Sequence, residues 1–256
     1  MATKTAPKPS TAVAVRKPNT GAVVSIKERL AAQAAEMTDR TLPPGGNAIR
    51  LSPGKFSLPD GSETPGPVEA VIVDFVSTNS FYEGKFNKDV VTPPICFAIG
   101  TNPLKLVPSP NAPEPQAKTC SECPMNQWGS DGKGKACKNE RKLALLPPDG
   151  TDSTPLWMLK VSPTATKSFD AHVNSIARTF QAPPVGAVTS ISLDSTQDYP
   201  KLVFGDAVPN ENLAVHFARQ DEAREMLNKE PDLSNYAPAS KAKPAVRGKA
   251  AVGGRR

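Results

Sequence analysis

Four cysteines are the residues of this chain best placed to do chemistry together. Cys120-Ser-Glu-Cys123-Pro124 is a Cys-x2-Cys turn, Cys137 follows after thirteen intervening residues, and Cys96 precedes the pair by 23. Such a turn lets two sulfurs meet one ion, and a third and fourth cysteine from elsewhere close a tetrahedral shell. Cys96, Cys120, Cys123 and Cys137 therefore read as one zinc site; an iron–sulfur cluster, and unliganded or disulfide-bonded cysteines, are the alternatives. Cys96 is the least constrained of the set, and its other reading is a buried strand residue with the shell completed by something else. His172 and His216 fall on expected helices far along the chain and read as packed or surface residues rather than ligands. Four sulfurs leave no open coordination position, so the zinc reads as structural. It would pin an insert too poor in apolar residues to fold by itself.

The second chemical signal follows the Cys-x2-Cys turn. Trp128-Gly-Ser-Asp-Gly-Lys133-Gly-Lys135 sets an aromatic ring beside glycines and lysines, and Lys138, Arg141 and Lys142 continue the positive charge. A ring in that setting can stack on a base while the cations meet phosphates. The alternative is that Trp128 packs over the zinc site and the lysines are simply solvated. Phe81, Tyr82 and Phe86 lie among Lys85 and Lys88 and suit a second stacking surface, whereas Phe75, Trp157 and Phe204 read as core. The glycine spacing fits neither the dinucleotide fingerprint nor the phosphate loop, and no nucleophile elbow, His-Glu-x-x-His or clustered carboxylate pattern occurs. The chain reads as a non-enzyme.

Composition frames these signals. At 256 residues, 38% hydrophobic and with 28 prolines, the chain suits one modest core with long irregular connections and tails. The net charge is +6, but it is unevenly spread. Residues 1–29 hold six Lys/Arg against Glu28, and residues 237–256 hold six with no acid, which leaves the middle at −5 by count. Within that middle, residues 118–142 carry six basic side chains against three acids, so the cysteine insert alone is locally basic. Basic tails add salt-dependent phosphate affinity or act only as solubilising extensions. No apolar run is long enough to span a bilayer and no signal-peptide pattern opens the sequence, which reads as a cytoplasmic protein of a reducing compartment.

The elements that must position these residues follow from periodicity. Residues 1–45 read as a flexible basic arm with a short helix from Ser25 to Met37, capped by Ser25 and Glu28. A domain over 46–236 carries strands at Ala48–Leu51, Val68–Val76, Ile95–Gly100 and Leu156–Val161. Asn79–Gly84 reads as an aromatic turn and about 101–145 as the loop-rich zinc insert. A helix then places Phe169, Val173, Ile176, Ala177 and Phe180 at three-to-four spacing. A hairpin over Val188–Asp194 and Tyr199–Gly205 and a helix over Glu211–Asn228 follow, and 237–256 reads as a disordered basic tail. The fold class is mainly β with two helices, an OB-like β-barrel whose helix lies between its third and fourth strands.

Strands interrupted by a cysteine-rich insert, with Cys96, Cys120, Cys123, Cys137 and the strand–helix–hairpin from Leu156 to Gly205, resemble the zinc-containing, helix-destabilising single-stranded DNA-binding proteins of tailed phages. The resemblance covers about 60% of the chain. It implies an OB-fold protein that coats single-stranded DNA without sequence preference; the residues themselves leave DNA against RNA open. Replication or recombination proteins would be its partners, in the cytoplasm of a bacterial host. Two features depart from that family: the T-even member uses a histidine among its zinc ligands, and the usual acidic tail is replaced here by Lys249-Ala-Ala-Val-Gly-Gly-Arg255-Arg256. The competing reading is a zinc-stabilised protein–protein adaptor or structural component, which the negative body favours.

Overall fold

The computed structural model describes residues 46–84 and 92–236, with Ile26, Glu28, Arg29, Leu30, Gln33 and Met37 of the N-terminal segment. The chain divides into Met1–Gly46 and Asn47–Arg256. In the first unit the described residues between Ile26 and Met37 are helical, on the stretch where the Ser25–Met37 helix is expected. The second unit holds the site.

Its organising element is one long strand. Three short strands, β1 (Arg50–Ser52), β2 (Lys55–Ser57) and β3 (Glu63–Thr64), form a small antiparallel sheet before it. β4 then runs fourteen residues, Val68–Phe81. On one edge it pairs with β6 (Lys138–Leu146) from Val71 to Ser80. Its other edge is shared: β8 (Ala187–Leu193) takes Val68–Val71 and β5 (Cys96–Gly100) takes Ser77–Phe81. With β7 (Trp157–Val161) and β9 (Leu202–Pro209), the order is β7-β6-β4-β8-β9, antiparallel throughout, with β5 beside the far half of β4.

The register of β4 shifts between Ile72 and Asp74. A bulge reverses the facing of everything beyond it. Val68, Ala70 and Ile72 enter one core before the bulge and Phe75 enters it afterwards, while Val73 and Val76 enter a second core on the other face. By the same alternation Ser77, Asn79 and Phe81 share the side of Phe75.

The first core is closed by α1 (Thr166–Phe180), which buries Phe169, His172 and Ile176 at three-to-four spacing. Gln181 ends it in the left-handed conformation (φ 50°) ahead of Pro183 and Pro184. Arg178 in its last turn suits the negative end of the helix dipole. The second core, with Ala144, Leu146 and Leu156, is covered by Ala223 and Leu227 of α3 (Gln220–Asn228). A single helix was expected over Glu211–Asn228, but α2 (Leu213–Ala218) and α3 are separate. The break falls at Arg219, whose guanidinium donates to Thr151 O (3.1 Å), Thr154 O (3.0 Å) and Glu222 Oε2 (2.6 Å). Among the described residues the second unit thus has three α-helices where two were expected.

The expected barrel does not close. Among the described residues β7 and β9 do not pair. Aromatic side chains pack in the first core instead. Phe169 stands edge-on between Phe75 and Phe204, 5.1 Å from each, and Phe56 of the small sheet, 1% exposed, joins the same core. The outer edge of β7 is taken by residues 47–49, with Met158 N donating to Asn47 O (2.7 Å) and Ile49 N to Met158 O (2.9 Å). Among the described residues no helix is long and apolar enough to cross a membrane.

Candidate functional site

The four cysteines come from three places and meet at one. Cys96 opens β5, paired in register with Phe81 of β4; Cys137 is the residue before β6; Cys120 and Cys123 sit in the insert between them. All four thiols are free and buried. Together they line one small cavity of about 10 Å³ with Asn79, Phe81, Phe97, Ala98, Pro108, Gln116 and Asn126. Neither histidine shares it. His172 bonds Thr189 Oγ1 through Nε2 (3.0 Å), and His216 bonds the Asn210 side chain through Nδ1.

The insert is held to the sheet by its own backbone. Ser109 N donates to Phe97 O (2.8 Å) and Glu114 N to Ile95 O (2.7 Å), which lays the proline-rich connection along β5. Leu106, buried against Ala98 and Cys120, accepts from Cys120 N (3.0 Å). The Cys-x2-Cys turn is braced from within: Asn126 Nδ2 donates to Cys120 O (2.7 Å) and Gln127 Nε2 to Ser121 O (3.0 Å) and Cys123 O (3.2 Å). Cys137 N reaches back to Met125 O (2.8 Å).

Electrostatics treats the thiols as a group. Burial, then the charge of the other cysteines, pushes Cys137 up to about 12, with Lys135 opposing. Cys120 and Cys96 are raised for the same leading reason. Donors work against this: the Asn79 side chain bonds Cys120 and the Gln116 backbone N–H bonds Cys96. Cys96, Cys120 and Cys137 thus resist ionising alone, and a divalent cation reverses that balance. The donor set therefore fits a soft tetrahedral ion. Among the described residues no group of three or more His, Cys, Asp or Glu is already arranged as a metal shell, so the thiols converge without closing one.

Next to the cavity the insert forms a tight hairpin. Gly129 N donates to Gly134 O (2.8 Å), and Asp131 and Gly134 exchange backbone bonds at 3.2 Å. Gly129 and Gly132 hold φ of 91° and 62°, which side-chain-bearing residues rarely adopt. Ser130 Oγ ties the loop to Met125 O and Gln127 O and accepts from Ala136 N. Trp128 is 78% exposed on this framework, so it does not pack over the thiols. Lys133 beside it is exposed as well.

The other residues expected to contact nucleic acid divide sharply. Tyr82 is exposed, while Phe81 is half-buried against the cysteines. Phe86 lies outside the described residues. Lys135, half-buried, leans on Asn126 Oδ1 (3.4 Å), and Lys138 makes a weak, exposed ion pair with Asp131 (3.6 Å). Arg141 is a different case. It belongs to β6, is 7% exposed, and makes a two-pronged bond to Asp170 of α1 (2.8 and 3.2 Å). Lys142, also in β6, donates to Lys229 O (3.2 Å), and burial, with Lys160 adding, lowers its pKa against the pull of Glu140. Neither is a loop cation free to meet a phosphate.

Sequence reasoning missed Asn79, Gln116 and Asn126, the polar groups around the sulfurs. The usable signal was Ser77-Thr78-Asn79-Ser80, a polar run continuing an apolar strand, all four of it buried. No family model, curated protein or solved structure matches the chain.

Proposed function

We propose that this protein is a non-catalytic, sequence-independent single-stranded DNA-binding protein with a structural zinc, acting beside replication or recombination proteins. The observation that carries the reading is the joining of two features in one insert: four thiols converge on a cavity, and the adjoining hairpin projects Trp128 and Lys133 into solvent. Zinc, when bound by Cys96, Cys120, Cys123 and Cys137, would supply cross-linking only, tying the starts of β5 and β6 to the insert. The hairpin would then offer a ring for base stacking and lysines for phosphate.

Strand order supports an OB-like module. With β4, β6, β7, β8 and β9 taken as strands one to five, the helix lies between the third and fourth and the order is that of the Greek-key barrel, here left open. On that scheme the cysteine insert is the loop between strands one and two, and residues 194–201 are the loop between four and five. Both loops commonly hold oligonucleotides in such folds. α3 and the turn at Lys229 lie over part of the sheet face, which leaves the loops as the contact surface.

One observation favours the adaptor alternative: Leu213 and Phe217, one turn apart on α2, are 43% and 55% exposed. Fluorescence anisotropy of a labelled oligo-dT at two salt concentrations separates the two. Phosphate contacts by Lys133, Lys135 and Lys138 predict a log–log salt slope of about −2, steeper if the tails join in. Absence of binding at low salt would leave the adaptor. An equal affinity for oligo-U would make the ligand single-stranded nucleic acid in general.

A further inference from the structure

The thiol cavity has a polar wall that the cysteine pattern does not account for. Asn79 lies in β4, is 5% exposed, and lines the cavity beside Phe81 and Cys120. Its cross-strand partner in register is Asn139 of β6, whose Nδ2 donates to Asn79 Oδ1 at 2.5 Å. A carboxamide has one accepting end and one donating end. With its oxygen taken by Asn139, the Asn79 amide turns its N–H groups the other way, toward the cavity that Cys120 also lines.

Cys120 is thus approached from both ends. The sheet sets the Asn79 amide against the cavity that Cys120 lines, and the insert holds the Cys120 carbonyl through Asn126 Nδ2 at 2.7 Å. The arrangement matters because four thiolates around one divalent cation carry two surplus negative charges. A buried N–H aimed at one sulfur offsets part of that charge and orients the ligand, as groups behind a metal's ligands generally do. Asn79 is also in register with Ala98 of β5, which packs on Cys120, so the donor is fixed by strands on both sides.

We infer that Asn79 is a positioning residue of the metal site: its side-chain N–H, oriented by Asn139, donates to the Cys120 thiolate and holds the Cys-x2-Cys turn against the end of β4. This rests on the four-cysteine metal reading and deepens it.

The test uses the full chain, stripped of metal under reducing conditions and titrated with Co(II), whose thiolate charge-transfer and ligand-field bands report the ligands directly. Affinity is then ranked by competition with a chelator. The wild-type chain should give the spectrum of a tetrahedral four-thiolate site at one equivalent. Asn79→Leu, close in shape but without the N–H, should bind roughly 10- to 100-fold more weakly and show a shifted charge-transfer band, which a purely space-filling role would not move. Asn139→Ala keeps the Asn79 amide but frees its orientation, and should weaken binding by about threefold to tenfold; it carries the test alone if Asn79→Leu does not fold. A four-thiolate spectrum in the wild type with affinity and band energy unchanged in the variants would overturn the inference and leave the metal site standing. Failure of the wild type to give thiolate bands would overturn both.

Discussion

Arg141 and Asp170 allow a prediction whose sign runs against intuition. Arg141 has a side chain 9% exposed, whereas Asp170 is 46% exposed, and two bonds of 2.8 and 3.2 Å join them, tying α1 to the middle of the sheet. Removing the exposed partner should do more harm than removing the buried one. In Asp170→Ala the guanidinium stays buried opposite Ser77 and Val161, with Glu140 O at 3.3 Å as its remaining bond. An uncompensated buried charge of this kind costs about 3–5 kcal/mol. Alanine returns about 0.5 kcal/mol of helix propensity, so about 3 kcal/mol is a fair expectation. In Arg141→Met the stem volume is kept and Asp170 turns to water, so the loss is the charged hydrogen bonds less rehydration, about 1–2 kcal/mol. Urea unfolding at neutral pH measures both. For a body of this size the first change lowers Tm by roughly 6–12 °C and the second by about half that or less. Because Arg141 faces α1 and not solvent, Arg141→Met should leave oligonucleotide affinity within about twofold of wild type. The reasoning is refuted if Arg141→Met destabilises as much as Asp170→Ala, or if it weakens binding as a phosphate-contacting lysine would.

Three further outcomes are expected. Trp128→Ala should weaken oligo-dT binding by about fivefold to 150-fold, the equivalent of 1–3 kcal/mol of stacking, with Tm unchanged because the ring is exposed; unchanged affinity would remove the ring from the interface. Phe169→Ala should cost about 3–5 kcal/mol in urea unfolding, because it empties the space between Phe75 and Phe204, and a loss under 1 kcal/mol would mean that this ring is not central to the first core. Burial is the leading cause that lowers the pKa of both His172 and His216 from 6.5, so below about pH 6.5 the unfolded chain binds more protons than the folded one. Stability should therefore be full above pH 6.5 and fall as pH drops below it, well above the range near 2 where Asp194 titrates. A urea series from neutral pH to about 5 checks this, and stability that rises toward acid would contradict it.

The parts legible in the sequence were those whose signal is local. The Cys-x2-Cys turn, the spacing of α1, the helical setting of both histidines and the strand that begins at Cys96 each follow from a few neighbouring residues. What stayed hidden depended on distant partners. β6 opens Lys138-Asn-Glu-Arg-Lys142 and reads as a charged loop, yet it is next to the central strand. Its charges are answered by Asp170, by Lys160 at 2.8 Å from Glu140, and by the carbonyl of Lys229. Arg141 and Lys142, expected among the loop cations, are for that reason strand residues with partners of their own. The polar end of β4 reads as a turn from Asn79 onward, because burial between β5 and β6, more than side-chain pattern, makes Ser77–Phe81 extended. Barrel closure could not be read at all, since it turns on what pairs with the outer edge of β7, and residues 47–49, far from it in sequence, take that edge.

The most direct test of the central claim compares oligo-dT binding by the zinc-loaded protein and by the same protein stripped with a chelator under reducing conditions, at one low salt concentration. The account predicts salt-sensitive binding by the loaded form. It predicts that stripping weakens that binding at least tenfold while the β-sheet circular dichroism persists, because the thiols fasten the hairpin and not the core. Equal binding by the two forms, or none by either, would contradict it.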